Sequence, residues 1–348
     1  MRLQTRRAAR GMVAGMNAAI APALALTAAL LRLAGWLHGE GYRFTTVTPA
    51  THARVNARAG AELARSLRDV FGWSRPFAPS LLPPELRDAL HAAELLHPAR
   101  DGLLRSGVRF SSLGGQLFAH SAYPTAEEDA VFFGPDTYRF VHLIEQELRR
   151  EPLTPARRIL DVGCGAGPGG IMAKLASAAD PQLVLADINP RALRFAAANA
   201  AQADCGNALL EQGDLFQAVQ GQFDLIVANP PYLNDGARRT YRHGGGRWGE
   251  ALSERIAREG LQRLAPGGRL VLYTGAAMID GADPVREALR PHVEQRGWPW
   301  RYWEIDPDVF AEELGEPAYA DAERIAAVAL VVQRPHQPMR RHLGPDPA

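Results

Sequence analysis

Lysine is almost missing from this chain: Lys174 is the only one in 348 residues, set against a field of arginines. Together with abundant alanine, that bias points to a GC-rich genome, so arginine content alone says nothing about phosphate binding. Cysteine is scarce as well. Cys164 and Cys205 are too few for a disulfide framework, and neither has a cysteine or histidine neighbour at zinc-site spacing. No metal is expected. Excess charge of one sign is also absent, since a net +1 gives no whole-protein attraction to nucleic acid. Finally, no uninterrupted apolar run approaches the roughly 20 residues that span a bilayer. Asn17, Pro22 and Arg32 break the stretch from Arg2 to Trp36, which otherwise imitates a secretory leader. A soluble helix from about Ala23 to His38 is expected, with Met12 and Met16 as alternative starts. These absences, with 47% apolar and 22% charged residues, suit a globular cytoplasmic protein with reduced thiols, no membrane contact and room for two domains.

What is present concentrates in two places. The run Phe223-Asp224-Leu225-Ile226-Val227-Ala228 is a buried strand that ends in Asn229-Pro230-Pro231-Tyr232. Asparagine supplies a neutral acceptor oxygen, and Pro-Pro is rigid and removes two backbone donors, so nearby carbonyls are left to accept from a ligand. Tyr232 adds a flat face. The group is a socket for a planar NH2; its bland alternative is a turn after a strand, as Asn-Pro often is. Upstream, Ile159-Leu160-Asp161-Val162 runs into Gly163-Cys164-Gly165-Ala166-Gly167-Pro168-Gly169-Gly170, a strand, a glycine turn and a helix start. Within that turn Cys164 reads as a small filler rather than a nucleophile. A second strand, Leu183 to Ala186, ends at Asp187, where a carboxylate accepts from ribose hydroxyls. The glycines also satisfy a dinucleotide fingerprint. Asp161 at the first strand's end argues against that reading, because it repels a pyrophosphate and attracts an ammonium.

On these residues the chain resembles the class I S-adenosylmethionine-dependent methyltransferases, in their Asn-Pro-Pro-Tyr, HemK-like branch, over roughly residues 130 to 335. Gly134-Pro135-Asp136-Thr137 is similar to the Pro-Asp-Thr segment of that branch, with Gly134 in place of its usual arginine. Gly213-Asp214-Leu215-Phe216 is similar to its adenine-contacting segment, and Leu264 to Leu272 to its helix stop, turn and fifth strand. The resemblance implies an α/β, doubly wound, Rossmann-like seven-stranded sheet and S-adenosyl-L-methionine as cofactor. It assigns cofactor contacts to Asp161, Gly163, Gly165, Gly167, Asp187, Asp214, Leu215 and Asn229, and catalysis to Asn229, Pro230 and Tyr232. Asn229 and the Pro230 carbonyl would take the two N–H bonds of an amide or aryl amine, turning its lone pair toward the methyl group, while Tyr232 stacks on the plane.

An N-terminal α+β accessory domain is expected over 1–125, the transferase domain over 126–335 and a disordered tail over 336–348. The accessory part shows helical stretches at Ala61–Phe71 and Pro84–Leu96, a proline-rich break between them, and a hairpin from Val108 to Ala119 about Gly114-Gly115. Beyond it the pattern predicts helices at 138–149, 168–178, from Asn189-Pro190 onward and at 250–264. Strands are predicted at 158–162, 183–187, 207–211, 223–228, 269–274 and 325–333. Trp298, Trp300, Tyr302 and Trp303 read as packing under a sheet edge, and His243 as a surface residue. The loop from Asp235 to Trp248, with four arginines and two aromatics, is either a mobile phosphate-binding lid or a solvated loop. A protein glutamine of the translation machinery is the expected acceptor. An amino group of adenine or guanine in RNA or DNA is the alternative, favoured by the arginines at the N-terminus, and a non-catalytic cofactor binder is the third.

Overall fold

The computed structural model describes residues 25–154, 157–235 and 241–336. Arg2, Met12, Met16, Arg238, Arg239 and the tail from 337 fall outside them. Contacts divide the chain into two units: Met1–Tyr138 with Gly165–Pro168 and Pro190–Ala208, and Arg139–Cys164 with Gly169–Asn189 and Leu209–Ala348.

Among the described residues the first unit opens on helix α1 over 25–39, whose end lies one residue beyond the expected His38; the expected start at Ala23 lies outside the described residues. Helices α2 (Pro49–Asn56), α3 (Leu67–Phe71) and α4 (Pro84–Ala92) follow. The helix expected over Ala61–Phe71 is confined to its last turn. Ser66 caps that turn by accepting from the Asp69 N–H, and the Ala64 N–H is spent on the Pro76 carbonyl instead of a helical partner. The stretch expected to run to Leu96 stops at Ala92, because Glu94 turns left-handed at φ 57° and Leu96 opens a strand. Strands β1 (Leu96–Pro98) and β2 (Leu104–Ser106) pair, a hairpin the sequence pattern did not announce. Strands β3 (Val108–Leu113) and β4 (Gln116–Ser121) form the expected hairpin, with Gly114 and Gly115 both at positive φ, as a two-residue turn of the right hand requires. Helix α7 (Pro190–Gln202) belongs to this unit too. Its buried Asn199 bonds both the N–H and the C=O of Ala119 and the C=O of Ala166. Leu30, Leu33, Phe71, Phe77, Phe110 and Phe195 are among the side chains at the centre of the unit's core.

The second unit is built on a seven-stranded sheet: β5 (Arg158–Val162), β6 (Gln182–Asp187), β7 (Leu209–Gln212), β8 (Phe223–Ala228), β9 (Leu264–Met278), β10 (Trp300–Asp306) and β11 (Arg324–Gln333), in the order β10-β11-β9-β8-β5-β6-β7. Strands β7 to β9 run parallel through β6, β5 and β8; β11 and β10 close the edge antiparallel. Apolar side chains cover both faces, Leu160, Val162, Ile226 and Ala228 on one and Ile159, Leu225 and Val227 on the other, and bury β5 and β8 except at Arg158 and Asp224, at about 1.5–3 kcal/mol for each large side chain. Helices α6 (Pro168–Leu175), α8 (Ala251–Arg263), α9 (Pro284–Glu294) and α5 (Pro135–Arg150) accompany the strands. One correction concerns Pro266-Gly267-Gly268. Helix α8 does end here, at Arg263, but the following strand opens at Leu264 rather than at 269, so the three residues lie within β9, where the register slips between Phe223↔Leu264 and Leu225↔Arg269 and the extra residues form a bulge with Gly267 at φ 79°. Trp298, Trp300 and Tyr302 pack partly buried on the core at the β10 edge, as expected.

Candidate active site

The chain leaves β5, winds outward through β6 and β7, then returns to β8 on the other side of β5. Carboxyl ends of β5 and β8 therefore flank the point where strand order reverses, the place where ligands enter such sheets. Register brings the sequence-predicted residues of this unit to one edge. Val162 pairs with Ala228 and with Ala186, and Asp187 with Gln212, so Asp187 ends its strand while Gly163, Asn229 and Gly213 follow the ends of three neighbouring ones. Two backbone bonds tie that edge together, from the Cys164 N–H to the Ala186 carbonyl and from the Gly213 N–H to the Asp187 carbonyl.

Gly163 has φ 65°, and a Cβ built there meets nothing within 4 Å, so the backbone is both left-handed and bare. Gly165 and Gly167, which fall in the first unit, continue the turn at φ 54° and 83°. Asp161 is 1% exposed and accepts from the Gly170 N–H at 2.7 Å, which fixes the start of α6 to the end of β5. Burial, with Asp187 close by, pushes its carboxyl up to about 7 against that one hydrogen bond. Burial and the same two carboxyls push the Cys164 thiol up, so it is no thiolate nucleophile. A cation bound beside Asp161 and Asp187 would favour their ionised forms and a pyrophosphate would oppose them, so the strand ends suit the first and not the second. Asp187 is half-buried and its Oδ1 accepts from the Asn189 N–H at 2.8 Å, at the head of α7.

Asp214 lies beyond β7, with Oδ1 held by Arg255 at 2.8 Å and Oδ2 by Gln217 at 3.2 Å. It would have to share those oxygens with any ligand amine, which its four lone-pair directions permit. Leu215 is 9% exposed and adopts φ 51°, unusual for a branched residue outside a tight turn.

At the end of β8 the Asn229 side-chain oxygen is buried and receives no hydrogen bond. Pro230 is buried, and Tyr232 is 8% exposed. The Tyr232 ring lies against Gly275 of β9, where a Cβ would sit 2.3 Å from it, and meets Phe310 edge-on at 5.9 Å and Tyr273 at 6.5 Å. Three of these neighbours escaped the sequence reading. A glycine inside a strand is a legible sign of close approach, so Gly275 could have been found. Phe310, held at φ 57° after β10, and Tyr273 carried no such sign.

His243 is corrected. It is half-buried, with Nδ1 enclosed and without a hydrogen-bond partner, because the chain after it folds back on the Asn-Pro-Pro-Tyr segment. Leu233 bonds to the Arg242 carbonyl and accepts from the Gly244 N–H, and Gly244 and Gly249 lie so near the Pro231 to Leu233 backbone that a Cβ would collide. Within the loop, Arg242 pairs with Glu313 and Asp235, and Arg247 with Asp321 and over the Trp248 ring. The Arg242 guanidinium is thereby enclosed by two buried acids, whereas the Arg247 pair is exposed and weak. The Tyr319 hydroxyl takes the Asn234 N–H at 2.7 Å and fastens 317–319 to the same segment.

Residues 141–278 match the family model described as methyltransferase small domain. A release factor glutamine methyltransferase of Deinococcus radiodurans is 32% identical over 227 residues, which cover 62% of this chain and 76% of that protein. One from Koribacter versatilis is 34% identical over 182 residues, 48% of this chain and 60% of the relative's length. A tRNA1(Val) (adenine(37)-N6)-methyltransferase of Aeromonas hydrophila is 35% identical over 137 residues, 37% of this chain and 56% of that one.

Proposed function

The chain belongs to the HemK-like class I methyltransferases, and we propose from that premise that it methylates the side-chain amide nitrogen of a glutamine in a protein of the translation machinery, using S-adenosyl-L-methionine. The observation that carries the reading is Asn229. A buried amide oxygen left unbonded costs about 1–3 kcal/mol, a cost removed when a ligand N–H arrives.

The residues present fit the cofactor. Bare backbone at Gly163 admits close approach, the carboxyls of Asp161 and Asp187 favour a cationic ligand and ribose hydroxyls, and Asp214 with Leu215 flanks the space beyond β7. Bound there, the cofactor supplies an electrophilic methyl group on a positively charged sulfur. Asn229 and the Pro230 carbonyl accept the two N–H bonds of the substrate amide. That grip aims the lone pair out of the amide plane, and the nitrogen sheds one of the two protons to solvent as it takes the methyl group, so orientation and electrostatics, rather than a strong base, would supply most of the rate gain. Pro230 and Pro231 hold the acceptors rigidly, and Tyr232, braced by Gly275 and Phe310, limits the tilt of the amide plane.

Nucleic-acid amino groups are the second reading, favoured by the match to a tRNA adenine methyltransferase. Against it, Arg242 is held by Glu313 and Asp235, and the net charge is +1. The deciding experiment incubates the protein with methyl-labelled cofactor and host-cell extract. Label removed by protease and not by ribonuclease supports the glutamine reading. Label removed by ribonuclease overturns it, and equal turnover by wild type and Asn229→Ala removes the mechanism.

A further inference from the structure

Asp161, Asp187 and Asp214 stand at the carboxyl ends of β5, β6 and β7, and they are held in different ways. Asp161 accepts from the Gly170 N–H at 2.7 Å and Asp187 from the Asn189 N–H at 2.8 Å, so nearby backbone fixes each side chain. Asp214 has no backbone donor among the described residues. Its segment closes a turn from the Gln217 N–H to the Asp214 carbonyl at 3.1 Å, with Leu215 left-handed at φ 51°, which spends that amide on the main chain. Only side chains reach the carboxylate: the exposed Gln217 at 3.2 Å and Arg255 at 2.8 Å.

The Arg255 arm comes from α8, which is a firm base for it. Ile256 and Ala257 are fully buried, the Ser253 hydroxyl bonds that of Thr274 in β9 at 2.7 Å, and the Phe216 ring lies against Gly260, where a Cβ would sit 3.2 Å away. Arg255 Nε donates to Glu259 one turn along at 2.8 Å, which leaves Nη1 aimed at Asp214 Oδ1. Arg258 Nη2 lies 3.6 Å from the same Glu259 oxygen, so that neighbouring cation is taken up by Glu259 and not by Asp214. The Asp214 side chain is 37% exposed and that of Arg255 31%, so the carboxylate is gripped from one side and open to solvent on another. Such an exposed ion pair adds little to stability. Its use lies in orientation, because a carboxylate already held in one rotamer loses less freedom when a ligand arrives.

Strand order β5-β6-β7 sets the three carboxylates in a row, so on the cofactor reading above, whose ribose takes Asp187, the adenine falls to Asp214. Resting on that reading, we propose that Arg255 is a positioning residue that sets the base specificity of the site through Asp214. A carboxylate is acceptor-only. With Oδ1 engaged by Arg255 and Oδ2 by Gln217, its remaining lone pairs call for a donor, which the 6-amino group of adenine supplies and a purine without that group does not. Without Arg255 the exposed Asp214 side chain turns among its rotamers, and the preference for the amino group falls.

The test is calorimetric binding of two ligands to the full chain: S-adenosylhomocysteine, and its purine counterpart lacking only the 6-amino group. Wild type is expected to bind the first at least about tenfold more tightly. Arg255→Met, or Arg255→Gln should that variant not fold, is expected to weaken the first ligand at least about fivefold, to leave the second within about twofold, and to shift Tm by no more than about 2 °C. Asp214→Ala should lose the same discrimination, and the double variant no more than Asp214→Ala alone, because Arg255 acts through that carboxylate. Arg255 variants that keep the tenfold ratio, that weaken both ligands equally, or whose effect adds in full to that of Asp214→Ala overturn the proposal and leave the cofactor reading standing. Wild type that binds neither ligand overturns the cofactor reading and the proposal with it, and wild type that binds both equally removes Asp214 from the adenine contact and the proposal with it.

Discussion

Two side chains at the carboxyl edge of the sheet are held in states that cost stability, and each makes a prediction. Asn229 buries an unbonded oxygen, so the protein gains nothing from it while empty. Asn229→Ala is therefore expected to leave Tm unchanged or slightly raised, to leave cofactor binding measurable by calorimetry, and to cut methyl transfer by at least about 100-fold, as loss of an oriented polar contact does. Activity and stability falling together would mean that the residue is structural. Asp161 is pushed from 3.8 up to about 7, chiefly by burial. The folded chain then holds this proton more tightly than the unfolded one. Its contribution is full below about pH 4 and is lost as pH rises through about 7, a span worth up to about 4 kcal/mol. Urea unfolding of the empty protein between pH 4 and 7 should show this decline, and Asp161→Asn, which still accepts from the Gly170 N–H, should flatten it. An unchanged slope in that variant would locate the titration elsewhere.

Strands set how closely the site's parts approach, and β9 shows this at Gly275. The Tyr232 ring occupies the space that any Cβ would fill, at 2.3 Å. Gly275→Ala is expected to displace the ring and depress transfer at least about tenfold while cofactor affinity stays within twofold; a variant with wild-type turnover would show that Tyr232 can move without consequence. The strands were legible because their signals are local. Ile159 to Val162 and Phe223 to Ala228 are apolar on both faces and end in glycine or Asn-Pro, and the structure reproduces both strands at the predicted residues. The placement of Asn229, Asp187 and Gly163 at one sheet edge was legible for the same reason, since Asp187 ends a strand and the other two follow one. Elements that depend on distant partners were not. The chain over 61–66 looks helical by periodicity, yet Ala64 bonds Pro76 instead. Pro266-Gly267-Gly268 announced the end of α8, but their place as a bulge inside β9 follows only once β8 fixes the register. Phe310 reaches Tyr232 only through the return of the chain after β10, which no local pattern announces.

At the scale of the whole chain, the shortage of lysine becomes a probe of folding. Lys174 is 6% exposed in the last turn of α6, where its ammonium is held by Asp180 and donates to the Pro181 carbonyl at 2.8 Å. Apart from the α-amino group it is the one primary amine in the sequence, so an amine-selective reagent has a single internal target. A buried ammonium paired at a helix end is shielded from such a reagent until α6 separates from the chain at 180–181, and the helix cannot leave without exposing Ile171 and Met172, which are 0% and 4% exposed. Modification of Lys174, read by mass spectrometry after brief labelling at increasing urea, should therefore follow the cooperative loss of helical circular dichroism with the same midpoint. Labelling that precedes this transition would show that α6 opens on its own, and since the Asp161 bond to Gly170 anchors its first turn, Asp161→Ala should then advance labelling further. Coincident midpoints in wild type together with early labelling in Asp161→Ala would make that one buried carboxyl the link between the glycine turn after β5 and the cohesion of the sheet.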